Sequence, residues 1–430
     1  MDEAVEAPDG TALRRGRFAG PRGARILLVI LLLLIAAASA ARAAGNALRP
    51  WGSVDFGVTV RGAEVMAREN VYERFFRARI YSDAGRGPGL NPMGSQPVQA
   101  PSVLALFWPF ALMPWPVAKS LWLALNLLCT GGLLVLAFRL LLPGRQLWAY
   151  AAIGTLFVTS VAWRNVIGNG QHTIVALFLF LLADALAERR HPIAAGLALA
   201  LALVKYSLIL FLLPLLVIKR QWLPLAIALA VHGLLTLLVA FHLNENPLRL
   251  VGQSLAVMRK LEDDGYVDLF ALGAHIGVPV LVPAAISAAM LAATLWAVAR
   301  RGARDPALAL AALAMVAVLL VYHRAYDSVV LLLPLLVAID RWRGNRPLAL
   351  AVFATIALVW FVSTARHWQP WLDDGGPVYW ATAATCYATC GLLIARLLRP
   401  PIGEDGKAGT DPGPAWGLAV DKAVWTRRPR

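Results

Sequence analysis

The sequence predicts an all-α, polytopic membrane protein with about twelve transmembrane helices. Composition is the first indication: 59% of the 430 residues are hydrophobic and 15% charged, against about 45–50% and about 25% in soluble chains. The second is block length, since the apolar residues gather in runs able to cross a bilayer, which takes roughly 17–25 residues of helix. The third is an alternation of charge between the runs. Basic connectors at Arg139–Arg145, Glu188–His191, Lys219–Arg220, Arg300–Arg304 and Arg341–Arg346 alternate with connectors of another kind at Arg164–Gly170, Leu243–Pro279, Tyr322–Asp327 and Ala365–Val378. The positive-inside rule places the first set in the cytoplasm and the second outside, where Trp368 and Trp371 suit the aromatic belt.

The apolar segments are 26–41, 102–113, 117–141, 147–163, 171–187, 193–204, 206–218, 223–242, 280–299, 306–322, 326–340, 347–363 and 378–397. The first follows Arg14, Arg15, Arg17, Arg22 and Arg25, a pattern shared by signal peptides and uncleaved first helices; the many later spans favour a helix that stays. Residues 42–101 then form a large outer loop in which Val54, Val58, Val65 and Met66 fall near helical spacing. That spacing predicts an amphipathic helix lying on the membrane. Segment 102–113 is short and runs into Pro114-Trp115-Pro116, so it reads as a re-entrant helix, leaving twelve spans. The alternative joins 193–218 into one span and lets 102–113 cross, which puts Glu188–His191 outside, against the charge rule. Residues 25–398 thus form a single membrane domain with outer loops 42–101 and 243–279, flanked by cytoplasmic tails 1–24 and 399–430. The tails are polar, rich in Gly, Pro and Arg, and disordered by composition.

The net charge of +15 belongs to these loops and tails, and no basic stripe interleaves with exposed aromatics, so nucleic-acid binding is excluded. Cys129, Cys386 and Cys390 lie inside apolar segments, a poor arrangement for a disulfide or a zinc site. Glu262, Asp263 and Asp264, like Asp373 and Asp374, read as solvated charge runs, and His172 and His275 stand without the paired spacing a metal needs. No metal and no cofactor are expected: one carboxylate is assigned to the site, and divalent ions want several oxygen ligands.

Chemistry concentrates on the outer side. Asp55, Asn169, Gln171, Lys205, His323, Arg324 and Tyr326 all fall near helix ends there. A carboxylate and a few cations suit group transfer from an anionic leaving group, Asp55 acting as base and the cations stabilising a departing phosphate. An ordinary Asp is already ionised at neutral pH, and helix N-terminal amides near Gln171 add anion affinity. Lys205 splits an apolar stretch, so it either faces protein or water at depth or snorkels to the interface. Asp55 is equally an N-cap candidate for its helix, and Asn169-Gly170-Gln171 reads also as a simple turn and helix start.

The order of these features resembles glycosyltransferase family 87, the membrane-embedded GT-C-type transferases that include the mycobacterial phosphatidylinositol-mannoside mannosyltransferase. Four stretches carry the resemblance between about Ile26 and Arg396: Asp55-Phe56 with Glu69-Asn70-Val71-Tyr72; Ala100 to Leu104 with Pro109, Met113-Pro114, Leu121-Trp122 and Asn126; Gly168-Asn169-Gly170-Gln171 with Gly196 and Lys205; and His323-Arg324-Ala325-Tyr326. Gln99-Ala100-Pro101 stands where the family usually has a Tyr-Pro-Pro element, and Lys205-Tyr206 where it has Lys-Pro.

The resemblance implies Asp55 as general base on the acceptor hydroxyl and Lys205, His323 and Arg324 at the donor phosphate. It places Tyr72, Asn169, Gln171 and Tyr326 around the substrate. It implies an inverting hexosyltransferase of the cytoplasmic membrane, using a polyprenyl-phosphate sugar, mannose foremost, and a lipid or glycan acceptor on the outer face. A transporter or flippase of lipid-linked or small substrates is the alternative, because broken helices and buried ions serve transport too.

Overall fold

The computed structural model describes residues 21–50, 52–76, 99–259, 269–320, 325–362 and 377–399. Every regular element among them is helical: α1 (Pro21–Leu48), α2 (Val54–Met66), α3 (Val71–Phe76), α4 (Pro101–Ala111), α5 (Trp115–Leu141), α6 (Leu147–Thr159), α7 (Val161–Asn169), α8 (Thr173–Glu188), α9 (Pro192–Ala202), α10 (Tyr206–Ile218), α11 (Trp222–Leu243), α12 (Pro247–Arg259), α13 (Leu269–His275), α14 (Leu281–Arg301), α15 (Pro306–Leu320), α16 (Leu332–Asp340), α17 (Arg346–Ala357) and α18 (Pro377–Leu398). Tight 3₁₀ turns occupy Leu203–Lys205 and Ala325–Leu331, and Leu358–Val362 widens into a π turn. Six helical stretches are long and apolar enough to cross a membrane, and the α6–α7 pair, bent by 58°, makes a seventh candidate. Leu128, Leu229, Leu234 and Leu237 stay exposed around the bundle, as they do where lipid rather than water is the solvent. The chain is a multi-pass membrane protein.

The basic connectors converge on one end of the bundle. Lys219 bonds Asp184 at 2.7 Å and Glu188 at 2.8 Å. Arg341 bonds Asp305 at 2.6 Å, Arg145 reaches Asp340 at 3.4 Å, and Ile218 packs on Gly302. Five loops far apart in sequence therefore share one face, as their charge predicts.

The pair of half-helices around Lys205 doubles back. By length and composition Pro192–Ile218 passes for one span. As one straight helix it would carry residue 218 about 33 Å beyond residue 196. Pro224, whose carbonyl lies 3.1 Å from where a Gly196 Cβ would stand, is only six residues further on, a reach of about 20 Å at most. The chain must reverse at Leu203–Lys205. Two further contacts agree: α10 ends where Lys219 meets Glu188, just before α9 begins, and α9 runs parallel to α11, with Gly196 on Ile227 and the Ala200 carbonyl 2.8 Å from His232 Nε2. This favours two half-length helices, with Lys205 at the end remote from the basic connectors.

Segment 102–113 covers only part of the bundle's height. Ser102 Oγ lies 2.8 Å from Nδ1 of His232, midway along α11, and Trp108 meets His242 near its end. Helix α4 thus starts at mid-bundle and climbs to Pro114, covering about 16 Å.

Two expectations are corrected. Helix α2 forms but does not lie on a membrane surface: Phe56, Val58, Thr59, Val60, Ala63, Val65 and Met66 are all buried, because the helix packs on α3, α4 and α7. Most of Arg164–Gly170 is not a connector, since α7, bent by 58° from α6 across Ser160, carries the helix to Asn169. Helix α1 extends to Leu48, and the stretch 243–279 contains α12 and α13, with Leu250, Ser254 and Val257 buried. The three cysteines are free and buried. Residues 1–20 and 400–430, which include nearly all of both tails, lie outside the described residues, as do Glu262 to Asp264, Asp373, Asp374, Trp368 and Trp371.

Candidate functional site

Asp55 sits at the second position of α2, where a carboxylate favours the helix dipole. It is not the N-cap. That position is Ser53, held at φ 58° with no side-chain cap bond, a backbone state costly for a non-glycine residue and typical of functional sites. Its surroundings enforce it. The Ser53 amide donates to the Gly168 carbonyl at 2.8 Å, and its hydroxyl donates to Ala47 O at 3.2 Å. The preceding end of α1 is capped by Lys119 Nζ, which donates to the carbonyls of Leu48 and Arg49 at 3.1 and 2.8 Å. A buried cation at a helix C-terminus satisfies orphan carbonyls and the dipole together.

The neighbouring Phe56 anchors the helix in an aromatic cluster. Its ring stacks on Trp122, centroids 4.9 Å apart and planes 2° apart, and lies 5.7 Å from Trp115 and 5.3 Å from Phe110. Trp122 Nε1 in turn donates to the Gly170 carbonyl at 2.8 Å. Gly170 ends α7 at φ 67°, and a Cβ there would stand 2.8 Å from Phe56 Cβ. The Asn169-Gly170-Gln171 turn therefore does what a turn does, closing α7 and opening α8, yet it also fixes where Asp55 stands. Replacing Gly170 with Ala is expected to destabilise the fold by about 2 kcal/mol and to depress activity, read as a lowered melting temperature in detergent beside the turnover rate. Unchanged stability would mean that Phe56 yields freely.

Lys205 is held by a residue that sequence reasoning passed over. Its Nζ lies 3.1 Å from Asp327 Oδ1, and the same oxygen accepts from Thr173 Oγ1 at 2.5 Å. The Asp327 side chain is 3% exposed and that of Lys205 18%. Lys205 Nζ also lies 5.7 Å from the Tyr326 ring centroid, a cation–π distance. Asp327 lies in the same Tyr322–Asp327 connector as Tyr326, but nothing in one sequence pairs it with a lysine more than a hundred residues away. Snorkelling is not the explanation of Lys205: its charge is met inside the bundle.

A polar chain runs from α2 to Tyr72. Thr59 Oγ1 donates to the Asp55 carbonyl at 3.0 Å and accepts from Gln99 Nε2 at 2.9 Å. Tyr72 OH donates to the Gln99 carbonyl at 2.6 Å. Burial pushes the Tyr72 phenol well above its usual range; a Ser254 hydrogen bond opposes this, and the nearby Tyr206, next to Lys205 in sequence, adds to it. Tyr72 therefore serves as a neutral donor. Asn169 is half-buried and Gln171 buried at the α7–α8 turn, one residue before His172. Of the sequence-predicted residues, Asp55, Tyr72, Asn169, Gln171, Lys205 and Tyr326 gather at the end opposite the basic connectors. His323 and Arg324 lie outside the described residues.

No curated protein and no solved structure matches the chain. The model of glycosyltransferase family 87 matches residues 100–322, a stretch running from the start of α4 past the end of α15 and taking in Lys205. With more than half of its length inside that match, the chain belongs to glycosyltransferase family 87.

Proposed function

We propose that this family member is an inverting hexosyltransferase moving a sugar, mannose foremost, from a polyprenyl-phosphate donor to a lipid or glycan acceptor on the outer face of the cytoplasmic membrane. The observation that carries the reading is Lys205: an ammonium paired with Asp327 inside the bundle, at the end opposite the basic connectors, in a chain of a glycosyltransferase family. A leaving phosphate needs such a charge where little water competes with it.

In this reading Asp55 takes the proton of the acceptor hydroxyl. The oxygen attacks the anomeric carbon as the bond to the phosphate oxygen breaks, inverting the centre. The departing polyprenyl phosphate collects its charge at Lys205, a role the family resemblance gives also to His323 and Arg324, while Tyr72, Asn169, Gln171 and Tyr326 shape the pocket. The framework is a GT-C-type bundle of twelve spans, supported by the hairpin at Lys205 and the half-height of α4.

Sugar transfer from radiolabelled polyprenyl-phosphate mannose, glucose or arabinose to membrane lipids tests the reading; no transfer from any of them removes it. The orientation has its own test. A cysteine introduced at Gly85 is expected to react with an impermeant maleimide in intact cells, while one at Gly344, among the basic connectors, reacts only after lysis. The reverse pattern would invert the topology.

A further inference from the structure

His172 stands alone in the sequence but not in the fold. It lies between Gln171 and Thr173, 3% exposed. Its ring meets Phe107 edge-on at 5.0 Å and Trp122 at 5.3 Å. The next residue, Thr173, bonds Asp327, which pairs with Lys205. Its Nε2 is fully buried and has no hydrogen-bond partner among the described residues. A buried polar atom left unpaired costs stability, so native structures rarely keep one without a use.

We propose that His172 is a specificity-determining residue, its Nε2 reserved for one hydroxyl of the transferred sugar. This rests on the transferase reading above. A phosphate is the lesser candidate, because Lys205 already offers it a full charge, whereas two aromatic rings wall the imidazole. A sugar hydroxyl both donates and accepts, so it satisfies Nε2 in either tautomer, and aromatic walls tolerate the apolar face of a pyranose.

The test compares wild type, His172→Phe, His172→Asn and His172→Gln with the donor sugar that wild type transfers and with monodeoxy versions of it, one hydroxyl removed at a time. For one deoxy donor, wild type is expected to lose about 10⁴-fold in kcat/KM, the scale on which sites built for a hydroxyl reject its absence. His172→Phe loses the same with the intact donor and nothing further with that deoxy donor. His172→Gln, whose amide reaches the Nε2 position, recovers part of the loss; the shorter His172→Asn does not. His172→Phe melts at the same temperature as wild type or higher, since it removes the unpaired atom, so its defect is not misfolding.

A loss in His172→Phe that is equal for the intact donor and every deoxy donor points to the phosphate or to packing, and overturns the inference alone. Full activity of His172→Phe overturns it as well. A wild type that transfers nothing from mannose, glucose or arabinose donors overturns the transferase reading, and this inference falls with it.

Discussion

Asp55→Asn is expected to lower sugar transfer about 10³-fold while leaving the protein folded. The substitution keeps size and shape at the second position of α2 and removes only the charge and the ability to take a proton. Part of its structural cost is the lost interaction with the helix dipole, about 0.3–1 kcal/mol. Phe56, next to it, stays locked against Trp122, Trp115 and Phe110, so the helix start has no reason to move. The measurement is turnover with the radiolabelled donor at matched expression, beside a melting curve. Because a general base acts in the transition state, kcat should fall and donor KM stay nearly constant. Residual transfer above a tenth of wild type would take the role from Asp55, and a collapse in stability would show that the residue holds α2 instead.

The second large effect concerns Lys205 and Asp327. Removing one partner of a buried ion pair strands the other charge, at about 3–5 kcal/mol. Lys205→Met leaves Asp327 with the Thr173 hydroxyl, and Asp327→Leu leaves an ammonium facing the Tyr326 ring, so each single variant is expected to be poorly folded and inactive. The double variant Lys205→Met/Asp327→Leu separates the two losses. With both charges gone it regains most of the stability, because an apolar pair of similar volume commonly does as well as a buried ion pair. It regains no transfer, since the cation for the leaving phosphate is absent. Melting temperatures and turnover of the three variants form one cycle. Activity returning with stability would mean that Lys205 holds the fold and does nothing else.

Much of this was readable in the chain. Block length marked the helices to within a few residues over most of the bundle, because an apolar run in a bilayer can satisfy its backbone only as helix. The Arg-rich connectors foretold that five loops share one face, which Lys219, Arg341 and Arg145 then join by ion pairs across loops. Lys205 stood out because an ammonium in an apolar stretch needs a reason. The pattern misled at α2: Val54, Val58, Val65 and Met66 have helical spacing, but spacing cannot say whether the opposite face meets water or α4. It misled again at α7, where charged and polar residues resembled a loop and the helix runs on past Ser160.

Local chemistry in the sequence determined that this chain crosses a membrane many times, where its helices lie, which ends are basic, and that Asp55 and Lys205 are the residues to examine. Burial, period and charge are properties of short stretches, and a bilayer turns them into structure almost one helix at a time. Partnership is not local. Only the tertiary structure decided that Asp327 and Thr173 hold Lys205, that Gly170 fixes the start of α2, and that His172, between Phe107 and Trp122, keeps a nitrogen unpaired among the described residues. Each of those contacts joins residues from different helices, and the distance between them is set by how the helices pack and by nothing in the residues between.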